Sequence, residues 1–438
     1  MRMLVMGPRV NLVHSPVARQ QVKMAELSLE TIDILNPDLY VQRGYPHDEW
    51  ALLRRQAPVF YYERPNVHSF WAVTRHADII TVSRQPDLFR SGHYLFVTIE
   101  QLGAPPDDAV FLRQLLNMNP PEHGAYRAVV NRRFTPRMVQ KLAVQIEQVT
   151  AEVMQGIVGG TECDFVTEVA AKLPLAVIAE MFGIPRSDWQ MMFQLSNSMI
   201  APSDPEFAGS ESIHETLERA RMEFFEYFSQ LVAERRKAPR DDVASALANG
   251  IVNGGALPPF ELLSYFALLI IAGNETTRNA ISGGLYALIN HPEQMALLKE
   301  NPPLMVKPAV EEILRWTSPV IQFSRVATAD TELHGHAISE GDIVAMFYPS
   351  ANRDEDVFEN PNCFDIRREP NPHLAFGIGE HYCLGANLAR LELQAMFRQL
   401  AERIDTVELA EPIQRMRSNF VGGIKHMPIR YRIDPHCS

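Results

Sequence analysis

The chain has 438 residues, of which 46% are hydrophobic and 21% charged, a globular composition that excludes a disordered protein or a small disulfide-stapled scaffold. Its formal net charge of -12 argues against a general nucleic-acid binder, because neutralising phosphates requires a clustered excess of Lys and Arg. We therefore expect small molecules and proteins as partners, and no nucleic acid.

The first residues do not have the pattern of a membrane anchor. Their apolar run, in MRMLVMGPRVNLVHS, is interrupted by Gly, Pro and Arg well short of the ~20 residues of a membrane span, and it is no secretory signal. We expect residues 1–25 to be a disordered extension and residues 26–438 to form one domain, because no linker rich in Gly, Ser or Pro interrupts them. The four cysteines form no C-x-x-C pair, which indicates a reduced, cytoplasmic protein.

Short β runs and long amphipathic helices alternate along the chain. Two β-rich runs around a Pro-Asn turn predict a hairpin within residues 57–75, and helical periodicity dominates residues 137–230. A stretch rich in Pro, Ser and Asp at residues 201–209 is expected to connect two helices. The longest helix signal begins at Pro258 and continues for about thirty residues. Short β runs at residues 323–345 predict a second small sheet.

One cysteine stands in a segment with a demanding pattern, FGIGEHYCLG at residues 376–385, directly before the last amphipathic helix. We expect Gly377, Gly379 and Gly385 to adopt positive φ and to let the backbone approach a flat cofactor closely. Cys383 then lies at a helix N-terminus, where free N–H groups favour the thiolate, which is a strong axial iron ligand. The alternative for any lone cysteine is a buried structural thiol.

The order F-G-x-G-x-H-x-C-x-G resembles the signature of the cytochrome P450 family, and the resemblance extends over roughly residues 45–432. It implies a mainly α-helical fold with small β-sheets (α+β), a triangular prism with haem b between the long central helix and the cysteine loop. It also implies that Cys383 binds the haem iron, that O2 is a co-substrate, and that the chain is a monooxygenase. Haem contacts are implied for Phe376, Gly377, His381 and Gly385.

The long central helix carries AGNETT, in which an acid is adjacent to an alcohol on an apolar face. A helix interior rarely buries such a pair without a function, and Glu275 and Thr276 can deliver the protons that scission of an O–O bond requires. In the alternative interpretation, the Thr276 hydroxyl bonds back to the preceding turn and Glu275 is solvated. The segment resembles the family's oxygen-activating motif, which implies catalysis by Glu275 and Thr276 and haem contact by Ala272 and Gly273. Gly273 is expected to leave space for oxygen and to let the helix widen locally.

His123 and Arg127 are four residues apart, so both can approach one anionic group from the same helix face. For His123 alone, a partly exposed histidine would be the default interpretation. The pair matches the family's H-x-x-x-R pattern, which implies that both hold haem propionates, together with Arg325 and His381.

Glu312 and Arg315 are three residues apart and can form a charge-assisted pair on one helix face. A surface ion pair is the default interpretation. In the family, this E-x-x-R pair is internal and meets an Arg or Asn from the loop before the cysteine, for which Asn352 and Arg353 are candidates. We assign the pair to structure and haem retention, not to chemistry.

A basic run without acidic residues follows Arg127 and includes Arg132, Arg133 and Arg137. Its alternative is a solvated helix end. With Arg127 at the haem, this run flanks the cysteine side of the cofactor, where related proteins receive electrons, and we expect a small acidic ferredoxin to dock there. The sequence contains no flavin-binding or iron–sulfur segment. We therefore expect a separate ferredoxin and its NAD(P)H-dependent reductase as partners, and a monomer.

The predicted wall of the substrate pocket is mostly apolar, which indicates a hydrophobic substrate, and its members are Leu95, Val97, Leu268, Ala272, Val320, Ile321, Phe323 and Val421. Core packing is the alternative for each of them. The turn at residues 420–428 is similar to one in bacterial family members that oxidise steroid side chains, branched lipids and terpenoids. We therefore expect hydroxylation of a terpenoid or steroid-like lipid, with Lys425 or Arg325 as candidate partners of a substrate carboxylate.

Three alternatives to this function remain open. Within the family, the chain is a tailoring oxidase of a secondary metabolite such as a polyketide, or an enzyme of isomerisation or peroxide-driven oxidation without a redox partner. Outside catalysis, it is a haem-binding sensor or carrier. The intact pair of Glu275 and Thr276 speaks against the sensor, since binding alone requires no proton relay.

Overall fold

The computed structural model describes residues 27–65, 67–92, 94–98, 113–200, 204, 206 and 212–433. Contacts divide the chain into two compact units, residues 1–32 and residues 33–438. In the described part of the first unit, the amides of Thr31 and Ile32 donate to the carbonyl oxygen of Ser28 at 3.1 Å and close a turn. Residues 1–25 lie outside the described part, so the disordered extension and the domain boundary at residue 26 remain predictions.

Helices dominate the second unit, in agreement with the predicted mainly helical fold. The 3-10 turns are Leu115–Asn117, Arg186–Asp188 and Gly379–His381, and a π-helical turn spans Val166–Ala170. The α-helices of the described residues are α1 (Pro37–Arg43), α2 (His47–Gln56), α3 (His76–Ser83), α4 (Glu122–Asn131), α5 (Pro136–Lys141), α6 (Ala143–Gln155), α7 (Lys172–Phe182), α8 (Trp189–Ile200), α9 (Ile213–Lys237), α10 (Val243–Ala248), α11 (Pro259–Asn290), α12 (Pro292–Glu300), α13 (Pro302–Thr317), α14 (Tyr348–Ala351) and α15 (Ala386–Arg403).

The strands form one five-stranded sheet and several smaller ones. The strands are β1 (Val59–Tyr62), β2 (Phe70–Val73), β3 (Phe89–Arg90), β4 (Glu162–Asp164), β5 (Ile251–Val252), β6 (Gly255–Ala256), β7 (Gln322–Ala327), β8 (Thr331–Leu333), β9 (His336–Ile338), β10 (Ile343–Phe347), β11 (Ile404–Leu409), β12 (Gln414–Arg415), β13 (Ile424–His426) and β14 (Pro428–Ile433). The order in the large sheet is β1-β2-β10-β7-β3, and β11, β14 and β4 form a three-stranded sheet.

The predicted N-terminal hairpin is confirmed, because β1 and β2 pair antiparallel with Val59 opposite Val73. The second small sheet predicted for residues 323–345 is confirmed only for β8 and β9, which pair antiparallel as a separate two-stranded sheet, and it is wrong for β7 and β10. Strand β10 pairs parallel to β2 and antiparallel to β7, so the later strands extend the N-terminal sheet. All five residues of β10 are buried, and a strand that is covered on both faces has no alternation of polar and apolar residues that would mark its partners.

Helix α11 is the long central helix that the sequence predicts. Its 32 residues correspond to ~48 Å, and proline at its first position suits the helix start. It packs against α7, α13 and α15. Gly284 lets two of these helices come close, because a Cβ there would lie 2.5 Å from Phe397 and 2.7 Å from Ile313. The close packing fixes α11 relative to α15, the helix that follows Cys383.

Two further predictions concern segments outside this core. Of the connector at residues 201–209, only Asp204 and Glu206 are described. Within the described part of the chain, no helix has both the length and the apolar character needed to cross a membrane.

Candidate active site

The loop that carries Cys383 is folded back on itself before α15 begins. The amide of Cys383 donates to the carbonyl oxygen of Phe376 at 3.0 Å. Gly377 and Gly379 have φ values of +67° and +78°, the left-handed region that favours glycine. A Cβ on Gly379 would lie 2.5 Å from the carbonyl oxygen of Ser83, so the loop also approaches α3 more closely than a larger residue permits. The predicted role of these two glycines in the backbone is confirmed.

Gly385 differs from the expectation. Its φ is -86°, because it is the N-cap residue of α15 rather than part of the turn, so the prediction of positive φ is wrong here. The amides of Gly385 and Ala386 donate hydrogen bonds to the sulfur of Cys383 and lower its pKa, as do the charges of Arg127 and Arg390. Burial is the larger effect, however, and raises the pKa of the Cys383 thiol above its ordinary value. A bound cation is therefore needed to keep the sulfur as a thiolate.

One cavity brings together the cysteine loop and the middle of α11. Its wall contains Thr276, and it contains every residue that the sequence analysis assigned to haem contact: His123, Arg127, Ala272, Gly273, Arg325, Phe376, Gly377, His381, Cys383 and Gly385. These residues come from four separate segments of the chain. Their convergence is a property of the fold, because the sequence motifs specify only the spacing within each segment.

Several cations and histidines meet at one edge of this cavity. Arg325 is 7% exposed, and its Nη1 donates to the carbonyl oxygen of Ser324 at 2.7 Å. The rings of His123 and His381 lie 4.3 Å apart. Burial, followed by the charges of Arg127 and Arg325, lowers the pKa of His123 to about 4. Burial and the charge of Arg325 lower the pKa of His381 to about 2.

This cluster fits an anionic group. The buried Nε2 of His123 has no hydrogen-bond partner among the described residues. Burial lowers the pKa of Arg325, and the described carboxylates form no salt bridge with it. An anion placed here would give both donors a partner and offset the mutual repulsion of the cations. The residues present therefore fit the propionates of a haem, whose ring would extend toward Cys383.

Arg127 has a second role in this structure. Its Nη2 donates to the carbonyl oxygen of Tyr382 at 2.8 Å, and its Nη1 to that of Glu380 at 3.5 Å. The side chain therefore joins α4 to the backbone of the cysteine loop as well as lining the cavity.

The acid–alcohol pair on α11 agrees with the alternative interpretation of the sequence for Thr276 and differs from it for Glu275. The Thr276 hydroxyl donates to the carbonyl oxygen of Ala272 at 2.8 Å, and α11 is α-helical throughout, so the widening expected at Gly273 is not present. Glu275 is not solvated, since it is fully buried and forms an ion pair with Arg278. Burial raises the pKa of Glu275, and the charge of Arg278 opposes that shift. The sequence analysis missed Arg278, although its i+3 spacing from Glu275 was a signal for such a pair.

The Glu312–Arg315 pair is internal, as the family resemblance implies. Both side chains are fully buried, with Nη2 of Arg315 2.7 Å from Oε1 of Glu312. The carbonyl oxygen of Asn352 accepts a hydrogen bond from Nη1 of Arg315 at 2.8 Å, so one of the two loop candidates meets the pair through its backbone. The second cation on Glu312 is Arg368, at 3.1 Å, rather than the candidate Arg353. Burial and the charge of Arg315 lower the pKa of Arg353 to about 9.

The apolar part of the cavity contains half of the predicted substrate pocket. Four of the eight predicted residues line it, namely Leu268, Ala272, Val320 and Phe323. The sequence analysis did not assign to the pocket the further lining residues Leu115, Leu116, Ile178, Thr277 and Pro319. Leu115 and Leu116 precede α4, and Ile178 belongs to α7. Neither segment contains a sequence motif that marks it as part of the pocket.

The other predicted pocket residues are outside the described wall of the cavity. Val97 and Val421 are buried, and Ile321 is completely so. Ile321 and Val320 are consecutive in extended backbone, so their side chains point to opposite faces. The backbone amide of Val97 donates a hydrogen bond to Oε1 of Gln322 at 3.1 Å, which holds that segment against β7. The carbonyl oxygen of Leu95 likewise accepts a hydrogen bond from Ser324 at 2.8 Å.

Lys425 is also engaged elsewhere. Its Nζ lies 2.9 Å from Oδ1 and 3.2 Å from Oδ2 of Asp204, a carboxylate that is 1% exposed. Arg325 lies in the cluster at the cavity edge. The structure therefore contradicts the expectation that Lys425 awaits a substrate carboxylate, because its charge is already paired.

The basic run after Arg127 is largely exposed. Arg132 and Arg137 are exposed, and Arg133 is half-buried and forms an ion pair with the exposed Asp241 at 2.5 Å. The bond between Arg127 and Tyr382 fixes α4, which precedes this run, to the cysteine loop. The predicted position of the run beside that loop agrees with this contact.

Comparisons with known proteins agree with this site. The family model Cytochrome P450 matches residues 113–302 and 303–420. A steroid C26-monooxygenase of Rhodococcus jostii is 38% identical over 424 residues, which cover 94% of this chain and 88% of the relative. A linalool 8-monooxygenase of Pseudomonas putida is 36% identical over 406 residues, covering 92% of this chain and 99% of the relative.

A solved structure shares the fold as well. A cytochrome P450 of Mycobacterium marinum in complex with pseudoionone matches with a TM-score of 0.85 at 35% identity, and the match covers 93% of this chain and 100% of that one. The predicted mainly helical fold, the haem b cofactor and the use of O2 are thereby confirmed. The chain belongs to the cytochrome P450 family, and it is a haem-containing monooxygenase.

Proposed function

We propose that this monooxygenase hydroxylates a terpenoid or steroid-like lipid. The observation that carries the proposal is the single cavity that Cys383 and Thr276 share with the apolar side chains of Leu268, Val320 and Phe323. A cavity with such a wall favours a hydrophobic substrate and places it beside the reacting centre. The names of two relatives, a steroid C26-monooxygenase and a linalool 8-monooxygenase, support the two substrate classes.

In this proposal, the sulfur of Cys383 would bind the haem iron. Haem bound to a thiolate supplies the activation of O2 for insertion into a C–H bond. The amides of Gly385 and Ala386 donate to the sulfur and limit its negative charge. His123, Arg127, Arg325 and His381 hold the propionates, and Phe376 and Gly377 with Ala272 and Gly273 contact the ring from the loop and from α11.

Thr276 and Glu275 supply protons at the oxygen side. The Thr276 hydroxyl lines the cavity and accepts or donates a proton there while its present partner is the carbonyl oxygen of Ala272. Glu275 is buried one residue away, and burial raises the pKa of its carboxyl, which favours the protonated form that can donate a proton. The pair therefore provides a donor and a relay without admitting bulk water.

Electrons reach the site from a separate ferredoxin, which is reduced by its NAD(P)H-dependent reductase. The proposed docking residues are Arg132, Arg133 and Arg137, next to the helix that Arg127 joins to the cysteine loop. A basic surface favours an acidic partner and accelerates the encounter at low salt. The proposal also includes a monomer in the cytoplasm, and the free thiols of Cys163, Cys363 and Cys383 are suited to a reducing compartment.

The test is reconstitution with a ferredoxin, its reductase and NADH, preceded by a screen of steroids, terpenoids, fatty acids and polyketides for the spin-state shift that follows displacement of water from the iron. We expect a steroid or terpenoid to give the largest shift and a hydroxylated product that contains one atom of oxygen from O2. A shift confined to polyketides would contradict the substrate class. Haem binding with no product from any compound would favour a sensor, and product with hydrogen peroxide alone, unaffected by Thr276→Ala, would favour a peroxide-driven enzyme.

A further inference from the structure

The carboxylate of Glu275 faces away from the cavity that it is proposed to serve. Among the described residues of this stretch of α11, Ala272, Gly273, Thr276 and Thr277 line the cavity, and Glu275 does not. Its Oε1 accepts a hydrogen bond from the Asn274 side chain at 3.2 Å, and its Oε2 forms the ion pair with Arg278. Delivery of a proton to Thr276 therefore requires Glu275 to leave this ion pair.

Arg278 is itself held by two other parts of the fold. Its Nη1 donates to Oδ1 of Asn197 on α8 at 2.9 Å, and its Nη2 lies 3.2 Å from the sulfur of Met416. The guanidinium also lies over the ring of Phe193, at 5.9 Å from the centroid. Arg278, Asn197 and Met416 are each 1% exposed. The side chain thus connects α11 to α8 and to the segment after β12.

The ion pair with Arg278 opposes the effect of burial on the pKa of Glu275 and holds the carboxylate in one position. Separating the two side chains leaves an uncompensated buried charge, which is unfavourable. We therefore expect Glu275 and Arg278 to move together. The bond from Asn197 fixes the guanidinium from the side of α8, which packs against α11. A small displacement of α8 would therefore weaken the ion pair between Arg278 and Glu275 without any change in α11.

We propose that Arg278 is a positioning residue for Glu275. Arg278 holds the Glu275 carboxylate outside the cavity, and because Asn197 binds Arg278, the release of the carboxylate toward Thr276 depends on the position of α8. This inference rests on the proposed role of Glu275 as a proton donor. Arg278 contacts neither substrate nor haem in it, and it acts only through the acid.

The first test measures the protonation of Glu275 in the absence of turnover. The carbonyl stretch of the protonated Glu275 carboxyl is followed by infrared spectroscopy of the holoenzyme against pH, and the band is assigned by its loss in Glu275→Gln. In Arg278→Gln, we expect the midpoint of this titration to rise by about one to three pH units, because a nearby cation holds it down. Asn197→Ala should shift the midpoint in the same direction by less. Ser196→Ala is the matched control on α8, since that hydroxyl bonds only within its own helix.

The second test follows turnover with pseudoionone as the probe. The measured quantity is the fraction of consumed NADH that is recovered as hydrogen peroxide, between pH 6 and 9 in the range where buried carboxyls titrate. In Arg278→Gln, we expect the pH profile of this fraction to move to higher pH by the same amount as the infrared midpoint. In Arg278→Lys, which keeps the charge but loses the planar guanidinium, the profile should lie between those of Arg278→Gln and the unaltered protein. In Glu275→Gln, the fraction should not depend on pH.

The outcomes separate the inference from the function beneath it. If Arg278→Gln, Arg278→Lys and Asn197→Ala all keep the midpoint and the profile of the unaltered protein, Arg278 has only a structural role and the inference fails. If Glu275→Gln leaves the peroxide fraction and its pH profile unchanged, the proton role of Glu275 fails instead. Should Arg278→Gln not fold, Asn197→Ala and Arg278→Lys still decide the first question.

Discussion

Arg127 donates a hydrogen bond to the carbonyl oxygen of Tyr382 at 2.8 Å, which fixes α4 to the residue directly before Cys383. The exposed Arg132 and Arg137 follow on the same stretch of chain. A side chain assigned to the haem edge thus also positions the surface that we assign to the electron donor. Because both roles depend on α4, charge changes are best made in the exposed residues after that helix and not in Arg127.

Reversal of charge at the proposed docking surface should slow electron delivery. In the double variant Arg132→Glu and Arg137→Glu, we expect the ferredoxin concentration for half-maximal NADH consumption to rise about tenfold at low salt, and by less at 0.5 M salt, where surface charges are screened. Haem content and substrate-induced spectral shifts should not change. Arg55→Glu, an exposed reversal on α2, is the matched control. Equal ferredoxin requirements for the double variant and the control would contradict docking at this surface.

The internal pair of Glu312 and Arg315 should stabilise the protein and the retention of haem. Arg315→Met leaves a fully buried carboxylate with one cation fewer, so we expect the free energy of unfolding to fall by about 3–5 kcal/mol. Arg368 is the outer partner of Glu312, and its side chain is 9% exposed. Arg368→Met should lower the free energy of unfolding by only about 1–2 kcal/mol. Guanidinium unfolding monitored by haem absorbance measures both. A larger loss from Arg368→Met than from Arg315→Met would show that the outer cation is the main one.

The contrast between Arg315 and Arg368 shows how much the sequence could predict. Glu312 and Arg315 are three residues apart on a helix, a spacing that is visible in the sequence. Arg368 reaches the same carboxylate across 56 residues, through a loop whose path no periodicity encodes. Asn197 likewise reaches Arg278 across 81 residues. Motifs that are contiguous in the chain, such as the cysteine loop, could be read directly, and contacts between distant segments could not.

The same reason explains the pocket. Val320 and Phe323 line the cavity, whereas Ile321 between them is fully buried and does not, so a run of apolar residues does not reveal which members face the substrate. Ile178 was missed because it comes from α7 and enters the site only where it packs on Gly273, at 3.1 Å from the position of a Cβ. The helix α11 itself was predicted because its length and proline start are local properties.

Thr276 should determine how electrons are divided between product and hydrogen peroxide. Thr276→Val keeps the shape but removes the hydroxyl, so we expect normal haem binding and about a tenfold fall in product per NADH, with the difference recovered as peroxide. Thr276→Ser should restore most of the coupling. Ser264→Ala is the matched control, because that hydroxyl also bonds back to the preceding turn of α11, at 2.8 Å from the carbonyl oxygen of Phe260. Unchanged coupling in Thr276→Val would contradict its assigned role.

Lys425 should hold the segment around Asp204 against the C-terminal strand β13. Burial lowers the pKa of Lys425, but hydrogen bonds and the charges of Asp204 and Glu206 outweigh it and raise the pKa above its ordinary value. Lys425→Met leaves the buried Asp204 carboxylate without this cation, so we expect a loss of about 1–2 kcal/mol, reduced by the partial exposure of Lys425. Hydrogen exchange of the amides of Asp204 and Glu206 should be faster. Exchange as slow as in the unaltered protein would mean that other contacts hold the segment.

Glu392 should make the protein less stable as pH rises. This residue of α15 is 2% exposed, and its buried Oε2 has no hydrogen-bond partner among the described residues, so burial raises the pKa of the carboxyl well above its ordinary value. Below pH ~4 the carboxyl is protonated in both the folded and the unfolded chain. Above that pH the unfolded chain ionises and the folded protein does not, so the unfolded state gains stability until the folded pKa is reached.

Glu392→Gln removes this titration while keeping the shape of the side chain. We expect the variant and the unaltered protein to unfold at similar guanidinium concentrations near pH 4, and the variant to be more stable by at least about 1 kcal/mol at pH 7, since each unit of pKa shift corresponds to ~1.4 kcal/mol. Glu402→Gln, an exposed change on the same helix, is the matched control and should leave the pH dependence intact. A variant that is less stable at pH 7 would mean that the carboxylate has a cationic or hydrogen-bonding partner when the haem is bound.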